Sequence, residues 1–129
     1  MAKRIMKSYE MIPDRFKEKY FKFYQELYNP EASVLDIKTK ELVSIAASLA
    51  AGCQGCFKGH VIKAVKHGAT RDEVGEAIAI AIGINAAAIV DQTDNANWDG
   101  DLVASLWDKN GAPEQAHVDD NAAEEEITP

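Results

Sequence analysis

Cysteine is close to absent. The 129-residue chain has two, Cys53 and Cys56. Two cysteines cannot form the disulfide framework of a small secreted domain. A chain of this length also has no need of one to bury a core. Positive charge is scarce too: 14 Lys and Arg stand against 21 Asp and Glu, a net charge of −7. No Lys/Arg stripe runs along the chain, which excludes the usual nucleic-acid footprint. The opening "MAKRIMKSYEMIPDRF" lacks an apolar core segment, so no signal peptide is expected. The longest apolar run, "AIAIAIGINAAAIV" at 77–90, includes Asn85 and is short of the ~20 residues a membrane span needs. No membrane partner is therefore expected, and the default is a cytoplasmic chain. In that reducing compartment a close cysteine pair reads as catalytic or metal-binding.

What is present is mostly helix signal. After Pro13, "DRFKEKYFKFYQELY" places Phe16, Tyr20, Phe23, Tyr24 and Leu27 at helical spacing, and Asn29-Pro30 ends the segment. Tyr20, Phe23 and Tyr24 read as core. Asp36 can cap a second helix, "IKTKELVSIAASLAAG", with Gly52 as its stop. A third begins near Cys53 and ends at Gly68. Thr70 followed by Glu73 is a capping box for a fourth, "RDEVGEAIAIAIGINAAAIVDQ". Within it Ile78, Ile80, Ile82 and Ile84 alternate with small residues, which is also a strand pattern. The capping box, the alanine content and the length favour helix. A helix apolar on every side is covered by core or by another subunit. Core packing is the main reading, with 77–90 at or beside a subunit interface. A short final helix is expected within 99–108. From Gly111 to Pro129 the chain has little to bury and an acidic bias, so residues 1–110 read as the folded domain and 111–129 as a mobile tail.

The chemistry concentrates in "GCQGCFKGH", residues 52–60. On a helix, Cys53, Cys56 and His60 fall at i, i+3 and i+7, on one face. Residues at i and i+3 have Cβ atoms ~5–6 Å apart, close enough for their sulfurs to bond after modest adjustment. A cysteine in the first turn meets free N–H groups and the positive end of the helix dipole, which favour thiolate. His60 leans back toward Cys56 and can exchange a proton with it, directly or through a water. A carboxylate would fix its tautomer. Glu41, on the preceding helix, is the candidate, provided the two helices pack antiparallel.

Other readings of these residues are weaker. Two buried structural thiols are the plainest alternative, since free cysteine is among the most buried residue types. Structural zinc wants four ligands, and one CxxC supplies two. Cys53 and His60 are also separated by ~10 Å along a helix axis, too far to share one ion. Covalent haem lacks its signature, because Phe57 rather than histidine follows Cys56. No cofactor and no metal is expected.

The segment "KELVSIAASLAAGCQGCFKGHVIKAVKHGATRDEVGEAIAIA" resembles the carboxymuconolactone decarboxylase family, and within it the AhpD-like (alkylhydroperoxidase D-like) branch, from about Leu35 to Val90. Glu41, Cys53, Cys56 and His60 match the branch's motif position by position. The resemblance implies a compact, all-α helical bundle that assembles as a homo-oligomer, commonly a trimer or hexamer. It implies thiol-dependent peroxidase or disulfide-reductase activity on a small hydroperoxide or a partner protein's disulfide, with an external dithiol as reductant. Carried over, Cys56 attacks, Cys53 closes the disulfide, and Glu41 and His60 relay protons. AhpD proper often has a histidine just before the second cysteine; this chain has Gly55. Two other classes fit the same residues: a cysteine-independent decarboxylase or lyase using Glu41 and His60, and a non-enzymatic oligomeric binding protein.

Overall fold

The computed structural model describes residues 7–114, and all its regular elements are helical. A 3-10 turn at Lys7–Tyr9 precedes α1 (Asp14–Leu27), α2 (Ile37–Ala50), α3 (Gln54–Lys66), α4 (Arg71–Gly100) and α5 (Leu102–Leu106). The chain divides into two compact units, Met1–Asn85 and Ala86–Pro129.

In the first unit, local chemistry sets each helix boundary. The Asp36 carboxylate accepts from the Thr39 N–H at 2.7 Å and caps α2. At the other end of α2, Gly52 takes φ +69, the left-handed region that glycine enters without a Cβ penalty. This lets the Gly52 N–H reach Leu49 O at 3.2 Å and the Cys53 N–H reach Ser48 O at 2.9 Å, a Schellman closure. The end of α3 repeats it: Gly68 has φ +87, its N–H bonds Val65 O, and the Ala69 N–H bonds Ala64 O. The capping box forms as the spacing requires. The Thr70 N–H donates to Glu73 Oε2 at 2.8 Å, and the Glu73 N–H to Thr70 Oγ1 at 3.1 Å.

α2 and α3 are the closely packed pair. Ile45 and Ala64 are fully buried between them, joined by Ala69 and Ala77, with Leu42, Phe57, Val61, Val74 and Ile78 packed around. Burying Ile45 contributes roughly 1.5–3 kcal/mol. Lys38 Nζ ties α2 to α4 through Glu73 Oε1 at 2.8 Å.

Three expectations are corrected here. α1 contains no buried residue, and Phe23, expected in the core, is 66% exposed. The close pair of helices leaves α1 to meet its neighbours through long side chains, chiefly Tyr24 and Tyr28. The α4 segment is core only at Ala77 and Ala81, with Ile78 partly covered. Ile80, Ile82 and Ile84 stand 62–66% exposed in the single chain, because a helix apolar all round can turn only one face to its own core. α4 is also longer than the apolar run. Arg71–Trp98 is a helix long enough to cross a membrane, and an 18-residue window within it has mean hydropathy 1.7.

In the second unit, Asp101 adopts φ 45 and breaks the helix before the short α5. The Val103 N–H donates to Asn97 Oδ1 at 3.2 Å. Trp107 and Pro113 form an isolated antiparallel bridge around a turn, where Asp108 accepts from the Asn110 and Ala112 N–H groups. The expected tail lies outside the described residues from 115 onward.

Candidate active site

Cys53 is held by both helices it joins. Its N–H closes the end of α2 on Ser48, and it is itself the N-cap of α3, one residue before the first turn. Its sulfur accepts from the Cys56 N–H at 3.3 Å. The two cysteines form a disulfide, with Cα atoms 5.2 Å apart. Their surroundings differ. Cys56 is exposed and Cys53 half-buried. Attack at Cys56 leaves Cys53 as the departing thiolate, and a helix N-terminal N–H already points at that sulfur.

Glu41 and His60 lie beneath the pair, 3% and 7% exposed. Packing of α2 against α3 brings His60 Nδ1 to 2.6 Å from Glu41 Oε2. Nδ1 is therefore the donor, and in the neutral ring Nε2 is the acceptor. The Tyr24 hydroxyl donates to Nε2 at 3.1 Å. Tyr28 stacks on the same ring, centroids 5.7 Å apart at 22°. Its hydroxyl bonds Ser44 Oγ, which in turn donates to Lys40 O at 2.7 Å. Lys63 Nζ lies over the Tyr24 and Tyr28 rings at 5.9 and 5.8 Å. Burial first, then the neighbouring Tyr28, pushes the Tyr24 phenol well above the ordinary tyrosine range. That shift favours the protonated phenol, the form that donates to Nε2.

A cavity of about 460 Å³ opens onto the disulfide, between α1 and α2. Leu27, Leu35, Val43 and Ala47 give it apolar walls, and Cys53, Cys56, His60 and Tyr24 line its functional end. A second, about 250 Å³, reaches Cys56 but not Cys53. Tyr9, Tyr20, Phe21 and Lys63 line it, and Gly55 and Gly59 form its α3 wall. Among the described residues no cluster of His, Cys, Asp or Glu could hold a metal ion.

The four residues expected from the sequence come together, with one geometric correction. The imidazole was expected to point at the Cys56 sulfur, but both its nitrogens are engaged, by Glu41 and by Tyr24. Reading α1 as a core helix passed over Tyr24. The available signal was Tyr20, Tyr24 and Tyr28 at i, i+4 and i+8: a stripe of hydroxyl-bearing rings suits a polar pocket better than a dry core.

The profile of the carboxymuconolactone decarboxylase family matches residues 15–93. An alkyl hydroperoxide reductase AhpD from Anaeromyxobacter dehalogenans is 38% identical over 63 residues, 49% of this chain and 32% of that protein. An uncharacterized protein of the Paracoccus denitrificans cox locus is 39% identical over 54 residues, 42% of this chain and 49% of that protein. The chain thus spans half or less of the length of these relatives. A solved structure from Methanobacterium thermoautotrophicum superposes with TM-score 0.58 at 27% identity, covering 64% of this chain and 90% of the other. A carboxymuconolactone decarboxylase family protein from Thermotoga maritima superposes with TM-score 0.52 at 29% identity, covering 64% and 82%.

Proposed function

The chain belongs to the carboxymuconolactone decarboxylase family, with AhpD proteins among its relatives, and we propose that it acts as a thiol–disulfide oxidoreductase of the AhpD-like kind. In the reduced protein the Cys56 thiolate attacks the terminal oxygen of a small organic hydroperoxide. The S–O bond forms, the O–O bond breaks, and the alkoxide leaves as alcohol after taking a proton. Cys56 becomes a sulfenic acid. Cys53 attacks that sulfur, releasing water and closing the Cys53–Cys56 disulfide. An external dithiol then attacks the disulfide, is itself oxidised, and restores both thiols. A partner protein's disulfide can take the place of the peroxide, by exchange through the same sulfur. Glu41 and His60 hold and return the protons.

One observation carries this reading. The disulfide lines a cavity that His60 also lines, with Cys56 exposed and the His60–Glu41 pair buried. Two structural thiols would have no need of a buried acid–base pair beside an opening. The reading includes a cytoplasmic location and a homo-oligomer, trimer or hexamer, covering the exposed isoleucines of α4. The test is turnover: purified protein with dithiothreitol or dihydrolipoamide and an organic hydroperoxide, followed as peroxide loss. The wild-type protein consumes peroxide, and Cys53→Ser and Cys56→Ser each abolish turnover. Full activity in Cys56→Ser would overturn the assignment.

A second reading has its own support, because the Glu41–His60 pair stands complete without the cysteines. A decarboxylase-type lyase would use it as acid and base, and both cysteines could then be replaced by serine without loss.

A further inference from the structure

We infer that Tyr24 is a further catalytic residue of the site: its hydroxyl holds His60 Nε2 and lines the two cavities that Cys56 also lines, so protons pass between sulfur and imidazole through the phenol. This deepens the oxidoreductase reading and rests on it. Three observations converge. The His60 ring has two nitrogens, and Glu41 takes Nδ1 at 2.6 Å. The remaining one is occupied by Tyr24 Oη at 3.1 Å. Tyr24 also lines both cavities that reach Cys56, and so does His60. An imidazole whose Nε2 already accepts a hydrogen bond cannot take the thiol proton without displacing that donor. A phenol can accept a proton at its oxygen while passing its own to Nε2, which leaves its net protonation unchanged.

The balance is as follows. The Cys56 Sγ–H proton moves to Tyr24 Oη, and the Tyr24 proton moves to His60 Nε2. The products are a thiolate and an imidazolium paired with the Glu41 carboxylate. When the hydroperoxide O–O bond breaks, Tyr24 gives a proton to the departing alkoxide, and His60 Nε2–H restores it. Imidazole, phenol and carboxylate end as they began. Gly55 brings no side chain of its own to this space, and a Cβ there would meet nothing within 4 Å. Tyr24, from a different helix, supplies the polar group.

The titratable groups around His60 come from three helices. They are Tyr20 and Tyr24 on α1 with Tyr28 at its C-cap, Lys40 and Glu41 on α2, and Cys56 and Lys63 on α3 with Cys53 at its N-cap; Tyr9 of the 3-10 turn lines the second cavity. The α4 carboxylates Glu73 and Glu76 line a different cavity, with Leu42 and Val43.

The test uses the full chain in a Cys53→Ser background, so that one thiol reports. The rate of Cys56 alkylation by iodoacetamide is measured against pH, with and without Tyr24→Phe. Phenylalanine keeps the ring and its packing, so a merely structural role predicts an unchanged profile. The relay predicts that the apparent Cys56 pKa rises by about one unit, with about tenfold slower alkylation at neutral pH. An unchanged profile in Tyr24→Phe, beside a shifted one in His60→Ala, would overturn it, because His60 would then act on the sulfur directly. ¹⁵N-histidine NMR of the unsubstituted, disulfide-bonded protein, in which Cys56 has no proton to give, provides a check free of any folding effect. The relay requires the Nδ1–H tautomer with Nε2 unprotonated, and an Nε2–H tautomer contradicts it. The two hypotheses fail separately. A protein without peroxide turnover but with the Tyr24→Phe shift keeps the relay and loses the peroxidase. Turnover that depends on Cys56 but ignores Tyr24→Phe, in rate and in pH profile, keeps the peroxidase and loses the relay.

Discussion

The α2–α3 pair and the following helix α4 invert the usual rule in opposite directions. The pair buries Glu41, Ser48 and His60, while α4 exposes Ile80, Ile82 and Ile84. Buried polar groups persist only when partnered. Here each is: Glu41 with His60, His60 also with Tyr24, and Ser48 with Ser44 O at 2.6 Å. Those partners leave a defined geometry beneath the cysteines, which marks a site. The exposed isoleucines have no partner in the single chain, which marks a surface awaiting cover. Under the proposed function, polar burial is where the chemistry sits and apolar exposure is where a second copy would pack.

The sharpest way to break this contrast is to remove one buried partner. His60→Ala leaves the Glu41 carboxyl buried and alone, and should cost about 3–5 kcal/mol of stability by denaturant titration. A cost near zero would mean that the pair is open to water and the contrast is false. Ile45→Ala, in the apolar part of the same pair, should cost about 2–5 kcal/mol through the cavity it leaves. Thr70→Ala removes one half of the capping box and should cost about 1 kcal/mol. Ile82→Ser should change the stability of the isolated chain by less than about 0.5 kcal/mol. In sedimentation it should shift the protein toward a smaller species. An unchanged mass would remove the assembly reading of α4.

A pH experiment sharpens the comparison at its seam, where Lys38 of α2 meets Glu73 of α4. The Lys38 ammonium, then the Thr70 N–H, lowers the Glu73 carboxyl below its ordinary 4.5. Glu73 in turn raises Lys38 above 10.5. A lowered carboxyl stabilises fully above its unfolded value, and that stability is lost as pH falls through the folded one. A raised ammonium stabilises below its unfolded value and loses that contribution as pH rises through the folded one. The tie is therefore complete between about pH 4.5 and 10.5. Glu73→Gln should flatten the acid limb of a Tm–pH profile more than the region near neutrality. Both side chains keep about a third of their surface in water, which screens the pair, so the effect is the smallest of the set.

Much of this is legible in the amino-acid sequence. Asp36, Gly52, Gly68 and the Thr70–Glu73 box fixed helix boundaries because capping is local chemistry, written within a few residues. The spacing of Cys53, Cys56 and His60 placed them on one helix, and Glu41 followed once that helix was packed back on its neighbour. The misreadings came where partners are distant or the breaker is missing. Tyr24 bonds a histidine 36 residues away, and no periodicity distinguishes that from core. The end of α4 was expected near Gln92, but "TDNANWD" contains no proline or glycine, so the helix runs on to Gly100. Which apolar faces stay uncovered depends on the whole packing, and a hydrophobic pattern states only that cover is needed.

The central claim is that Cys56 is the sulfur that meets the substrate and Cys53 the one that closes on it. The most direct measurement treats Cys53→Ser with one equivalent of an organic hydroperoxide in the presence of dimedone, then locates the adduct by peptide mass spectrometry. The account predicts a stoichiometric adduct on Cys56, trapped as its sulfenic acid, and none in the wild-type protein, where Cys53 closes the disulfide first. An unmodified Cys56 would contradict it, as would a Cys56→Ser protein whose Cys53 takes the adduct at the same rate.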